Sequence, residues 1–211
     1  MTSSPSRSTL MSDWAHGWAV SRHTVAPTPR AGGWYIPTGV PGESARYLLH
    51  DGADVVRVTG LPTEPHTWIK VSAPADRVPM AAGWQAREPA HLMHRLIKET
   101  GQVTLPDGYT AAVRDDGNDV VQVTVRAADG GAAAWARAGI AGDVVVFDQV
   151  GTEPAHQRQG LGRAAMTLLS NRLTGLGEFR AVLVATDDGR ALYEKLGWTF
   201  DAPVTIIEYV P

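Results

Sequence analysis

No cysteine occurs in the 211 residues, which excludes disulfides, thiolate zinc sites and cysteine nucleophiles and permits a reducing compartment. No stretch of about 18 apolar residues is present, and the opening "MTSSPSRSTL" carries no apolar run of signal-peptide length. An excess of one charge sign is also missing. The 19 basic and 22 acidic residues leave a net charge of −3, too little to draw the chain to nucleic acid or an anionic membrane. Any anion site must be local, and a metal would have to rely on His and carboxylates. These absences lead us to expect a cytoplasmic protein with no metal, no nucleic-acid partner and no membrane partner, and with residues 1–12 disordered.

What is present is 44% hydrophobic content, enough for an ordinary core in one large or two small domains. "DVVQVTV" (119–125), "AAAWARAGI" (132–140) and "DVVVFDQV" (143–150) read as three strands of an antiparallel meander. Leu161, Ala164, Ala165, Leu168, Leu169 and Leu173 recur at helical spacing. "RAVLVAT" (180–186) is a buried strand reached by a helical crossover, "DDGRALYEKLGW" is a short helix stopped at Gly197, and "TFDAPVTIIEYV" closes as a strand.

The first hundred residues are rich in Pro, Gly and Trp. "TWIKVSAPADRVPMAAGW" (67–84) nevertheless repeats the order of "AVLVATDDGRALYEKLGW" (181–198), with Gly83, Trp84, Pro89, Leu92 and Met93 matched 114 positions later. Either chance or duplication explains five matches. "KETGQVTLPDG" (98–108) has a linker's composition. The expected division is an accessory region at 13–100 and a second domain at 101–211.

"EPAHQRQGLGRAAM" (153–166) places glycines just before a helix, where unpaired N–H groups and the helix dipole favour a phosphate. The bland alternative is an entry turn with solvated arginines. "GLGRAA" also fits G-x-G-x-x-A, a loose dinucleotide fingerprint, but about ten residues separate Val150 from Gly160 and hairpins precede it.

The whole run "VGTEPAHQRQGLGRAAM", with Gln157-x-x-Gly160-x-Gly162, resembles the acyl-CoA signature of the GNAT superfamily of N-acetyltransferases. "LVATDDGRALYEKLGW" resembles its downstream motif, a short Tyr-bearing helix ending in Leu-Gly-aromatic. The likeness covers roughly residues 109–211. It implies an α/β (α+β) GNAT fold, a mixed and mostly antiparallel sheet with flanking helices, to which the N-terminal region would add a smaller GNAT-like half. It implies acetyl-CoA as co-substrate, held at its pyrophosphate by the backbone of Arg158, Gln159, Gly160, Leu161, Gly162 and Arg163, with Gln157 opening the motif. Val150 and Thr152 would offer backbone to the pantetheine arm, which adds like a strand. Tyr193 would lie near the sulfur and return a proton to the leaving thiolate; packing behind the core is its alternative. Asp188 stands where many members carry Asn, and either meets the pantetheine or caps its helix.

Two departures stand out. Where many members have Glu, eleven residues before the position of Gln157, this chain has Val146. Asp148, two residues on and on the same strand face, becomes the first candidate base, with Glu153 and His156 behind it. Members also place two helices between their first two strands, and "YTAAVRDDGNDVVQV" leaves room only for a turn. The acceptor wall must then come from the N-terminal hundred residues, which lack any Q/R-x-x-G-x-G. Trp14, Trp18, Trp34, Trp68 and Trp84 could line such a cleft or pack as core. His91 and His94 fall in a stretch that reads as strand, against a shared metal. The expected activity is acetylation of a primary amine on a small molecule, amino acid or peptide, by a monomer or homodimer. A non-catalytic acyl-CoA-binding or regulatory module, and more distantly a nucleotide-binding protein, are the alternatives.

Overall fold

In the computed structural model, which describes residues 5–117 and 119–211, the predicted three-stranded meander is formed by β8 (Val120–Arg126), β9 (Ala132–Ala141) and β10 (Val144–Thr152), and β7 (Thr110–Asp115) adds a fourth strand on β8. Alternation decides which side of each strand is covered. Val121, Val123 and Val125 of β8 pack with Val145 and Phe147 of β10 beneath helix α3 (Leu161–Thr174), which supplies Leu161, Ala165 and Leu169. Val144 and Val146 point to the opposite face.

That opposite face is covered by α1 (Arg7–Arg22), whose residues 7–12 the sequence reading placed in a disordered start. Residues 1–4 lie outside the described residues, but 7–12 are helical, and this expectation is corrected. The Ser6 side chain accepts from the Thr9 N–H and caps the helix, while Leu10, Met11, Trp14 and Trp18 recur every three to four residues and are buried. Full burial of each such side chain contributes roughly 1.5–3 kcal/mol. Contact is close because both surfaces are glycine. A Cβ at Gly17 would lie 2.4 Å from Val146 Cγ2, and one at Gly139 would lie 2.3 Å from the Gly17 carbonyl oxygen.

The N-terminal region adds β1 (Thr28–Arg30), β2 (Gly33–Val40), β3 (Glu43–Leu49), the one-and-a-half-turn α2 (Val55–Thr59), β4 (Thr67–Val71), β5 (Trp84–Ala86) and β6 (Ala90–Leu96). After α3 come β11 (Arg180–Ala185), α4 (Asp187–Lys195) and β12 (Thr199–Tyr209). Among the described residues the strands form one sheet in the order β1-β2-β3-β4-β12-β6-β11-β10-β9-β8-β7, with β5 on β12. Chain division near residue 100 is therefore not a division of the sheet. Strand β6 lies between β11 and β12, and the far end of β12 pairs with β4.

Pairing repeats at the 114-residue interval. Ile69, Lys70 and Val71 face Ile207, Ile206 and Thr205; Leu183, Val184 and Ala185, each 114 positions further along, face Met93, Leu92 and His91. Gly83 and Gly197 both adopt φ +79 before a buried Trp. Among the differences between the two regions, one concerns the sheet itself. Parallel pairing of β3 with β4 runs through Tyr47–Ile69, Leu48–Lys70 and Leu49–Val71. Parallel pairing of β10 with β11 stops at Val146–Val182, leaving residues 147–149 unpaired with 183–185.

Candidate active site

Beyond Val146 the strand β10 bends away from β11. Its pairing with β9 shifts register between Asp148 and Gly151, and Gln149 takes φ +48, a bulge that increases local twist and carries the strand outward. A slot opens through the sheet where two parallel strands would otherwise bond. It forms a cavity of about 230 Å³. Phe147 and Tyr193 line one side; Trp14, Trp18, Arg22, Arg46, Lys70 and Asp148 line the other.

Strand β10 continues through Thr152 into the loop 153–160. Gln157 donates from Nε2 to the Thr152 carbonyl at 3.4 Å, and Gly162 lies so close to the strand that a Cβ there would be 3.1 Å from Thr152 Oγ1. Arg158 and Gly160 both take positive φ, +60 and +80, which turns the backbone before α3 begins at Leu161. No protein group accepts from the N–H groups of residues 158–163 among the described residues. Six donors at a helix N-terminus are thus left for a ligand. Leu161 itself is buried, and Tyr109 donates to Gln159 Oε1 at 3.0 Å, holding the loop from outside. A second cavity, about 490 Å³, borders Gly160, Arg163 and Lys195 and is lined as well by linker residues including Gln102 and Thr104. Asn171 fixes that linker, accepting from the Thr100 N–H at 2.9 Å and donating to the Gly101 carbonyl at 2.7 Å.

Tyr193 of α4 is buried, and burial pushes its phenol up to about 12, so the hydroxyl keeps its proton through neutral pH. None of the described protein groups hydrogen-bonds it. Asp188 does not cap the helix: Thr186 does, accepting from the Gly189 N–H at 3.2 Å. Asp188 is exposed in the first turn, where its charge suits the dipole, and Asp187 pairs with His91 Nε2 at 2.5 Å. His91 and His94 lie in β6, as expected of a strand. Among the described residues no group of three or more metal-binding side chains comes together, and no helix is long and apolar enough to cross a membrane.

Of the three candidate bases, Asp148 alone lines the slot. It is engaged at both oxygens: Oδ1 accepts from Arg22 Nη2 at 3.1 Å, and Oδ2 from Arg22 Nε and, at 3.2 Å, from Ser21 Oγ. His156 Nδ1 meets the Tyr109 hydroxyl at 2.8 Å, and Glu153 is exposed on the loop. The sequence reading missed Arg22, Arg46 and Lys70. Arg46 stacks over Trp18 at 4.1 Å and is gripped by Glu43 through two contacts of 2.6 Å. Lys70 Nζ sits 5.1 Å over the Trp14 ring. Burial, reinforced by Arg46 and Arg22 and opposed by Glu43 and Asp148, lowers its ammonium to about 7. Of the five tryptophans expected as possible cleft residues, Trp14 and Trp18 reach the slot.

No curated protein matches the sequence significantly. The fold is shared with solved structures. A GCN5-related N-acetyltransferase from Kribbella flavida superposes with TM-score 0.61 at 18% identity, over 92% of this chain and 93% of that one. A putative acetyltransferase of the GNAT family from Novosphingobium aromaticivorans gives 0.56 at 18% identity, over 88% and 92%. A tandem GNAT protein from the clavulanic acid biosynthesis pathway gives 0.50 at 12% identity, over 85% and 79%. The acetyltransferase (GNAT) family profile matches residues 84–198, beginning before the linker and including β5 and β6. With more than half of its length matched, this chain belongs to the GNAT acetyltransferase family and is an acyltransferase.

Proposed function

We propose that the protein transfers an acetyl group from acetyl-CoA to a primary amine of a small molecule, amino acid or peptide. The observation that carries this reading is the slot between β10 and β11 ending in six unpartnered N–H groups. The fit is good on both counts: the donors match a pyrophosphate, and the open edge of β10 at Val150 and Thr152 matches an amide-bearing arm. Arg163 and Lys195, on the adjoining cavity, add charge for the remaining phosphate. Acetyl-CoA supplies an activated acyl carbonyl, which the amine attacks directly. Tyr193 holds the proton that the departing thiolate needs, and its buried ring excludes water from that side. Asp148, steadied by Arg22 and Ser21, takes the proton that the attacking amine gives up, or orients that amine.

The N-terminal region takes the place of the missing acceptor helices. It supplies Trp14, Trp18, Arg22, Arg46 and Lys70 to the slot. The repeated pairing register supports the reading that residues 13–100 are a reduced GNAT-like half, and continuous β3–β4 pairing there explains why it would hold no CoA of its own. Release of CoA thiol with a panel of primary amines, with the acetylated product identified by mass, tests the activity. Binding of acetyl-CoA without release by any amine would instead favour a non-catalytic acyl-CoA module.

A further inference from the structure

The slot contains an imbalance of charge that the transfer reaction does not use. Three cations and one carboxylate line it, and Glu43 stands behind Arg46. Arg22 and Asp148 neutralise each other through a forked contact, and Arg46 and Glu43 do the same. Lys70 has no carboxylate or hydrogen-bond acceptor among the described residues; its ammonium rests on the face of Trp14. A lysine at this place is not required by the sheet. The position 114 residues later, with the same pairing, is Val184. An ammonium with no carboxylate in contact, held in a small aromatic-walled cavity where Glu43 and Asp148 are each already gripped by an arginine, gives the acceptor side a positive potential. That potential attracts an anion and repels a bare alkylammonium ion.

We propose that Lys70 docks a carboxylate on the acceptor, so that the substrate is a small amino acid: a primary amine for transfer and a carboxylate for Lys70. This rests on the acetyl-transfer reading above and narrows it. Size agrees with the charge: the slot, about 230 Å³, must also take the end of the acyl-CoA arm, which leaves room for a small acceptor and not for a folded peptide segment. Arg22, Asp148 and Tyr193 line the same cavity. With the carboxylate on Lys70, the amine of the acceptor is left for Asp148 and Tyr193.

The chain contains three lysines, Lys70, Lys98 and Lys195, which makes lysine-selective NMR direct. Protein labelled at lysine Cε and Nζ gives three signals, assigned with Lys98→Arg and Lys195→Arg. The probes are N-acetylglycine, N-acetylalanine and N-acetylglutamate, each compared with the amide in which every carboxylate is neutralised, in the presence of CoA. The acids are expected to shift the Lys70 signal and raise the pH at which it titrates, with the amides leaving it unmoved. Lys70→Met should weaken acid binding at least tenfold and leave amide binding unchanged, and Lys70→Arg should restore acid binding in part. If no acid moves the Lys70 signal, or if acids and amides move it equally, the proposal is overturned. Equal loss of turnover on amino acids and their amides in Lys70→Met would also overturn it, because Lys70 would then be acting on the amine. Acetyl-CoA affinity measured on the same sample keeps the two readings separate: its absence removes the transferase assignment, whatever Lys70 does.

Discussion

Replacing Lys70 with methionine should stabilise the protein when no acceptor is bound. Met keeps the length of the aliphatic stem against Trp14 and removes a charge that the fold holds at a cost. The ammonium is lowered from 10.5 to about 7, and at about 1.4 kcal/mol for each factor of ten in proton affinity this bounds the cost near 5 kcal/mol. Lys70 is only half-buried and lies on an aromatic face, so solvent screening and the ring bring the figure down to about 2 kcal/mol. For a chain of this size that is a rise of about 4–8 °C in Tm. The sign of the pH dependence follows. Below about pH 7 both states carry the proton, and the full cost is present in the wild type. Between about 7 and 10.5 the unfolded chain keeps a proton that the folded protein has released, so wild-type stability rises with pH and the variant's advantage shrinks. Calorimetric unfolding of both proteins at pH 6, 8 and 10 reads this directly. A variant less stable than wild type at pH 6, or an advantage independent of pH, would refute the reasoning.

Three further substitutions test neighbouring parts of the account. Gly17→Ala puts a methyl group 2.4 Å from Val146 Cγ2 and should lift α1 from the sheet, with a loss of about 1–3 kcal/mol in urea unfolding; an unchanged midpoint would mean that helix and strand are not in register as described. Tyr193→Phe should lower kcat by about a hundredfold or more with little change in acetyl-CoA affinity, because the hydroxyl and not the ring is removed; parallel losses in both would make Tyr193 a packing residue. Asp148→Asn leaves Arg22 without its counter-charge, and both turnover and the acidic limb of its pH profile should change. An intact profile with intact turnover removes Asp148 as base.

Most of the C-terminal half was legible in the sequence because its signals are local. Valine alternation marks β8, leucine spacing marks α3, and Gly197 ends the Tyr193 helix in the left-handed conformation that glycine favours. Helix α1 was legible too, in Ser6 followed by Leu10, Met11, Trp14 and Trp18, but the polar opening outweighed that pattern. The position of β6 between β11 and β12 was not legible, because Leu92 and Met93 show that a strand is buried without showing which strands bury it. The slot belongs to the same class: Asp148 and Lys70 are far apart in sequence and come to one cavity only because β12 pairs with both β6 and β4. One local sign was available. Lys70 interrupts the apolar run "WIKV", where the matched position in the second copy is Val184, and a charge in a buried strand points to function more readily than to packing.

Calorimetric titration with acetyl-CoA, of the wild type and of Gly160→Asp, tests the central claim most directly. A Cβ at Gly160 would meet no atom within 4 Å, and Asp tolerates the left-handed backbone better than most residues. The variant should therefore fold, with circular dichroism as the check, while placing a carboxylate among the six N–H donors. The account predicts binding by the wild type that is lost in the variant. Absence of binding by the wild type, or equal affinity in both proteins, would contradict it.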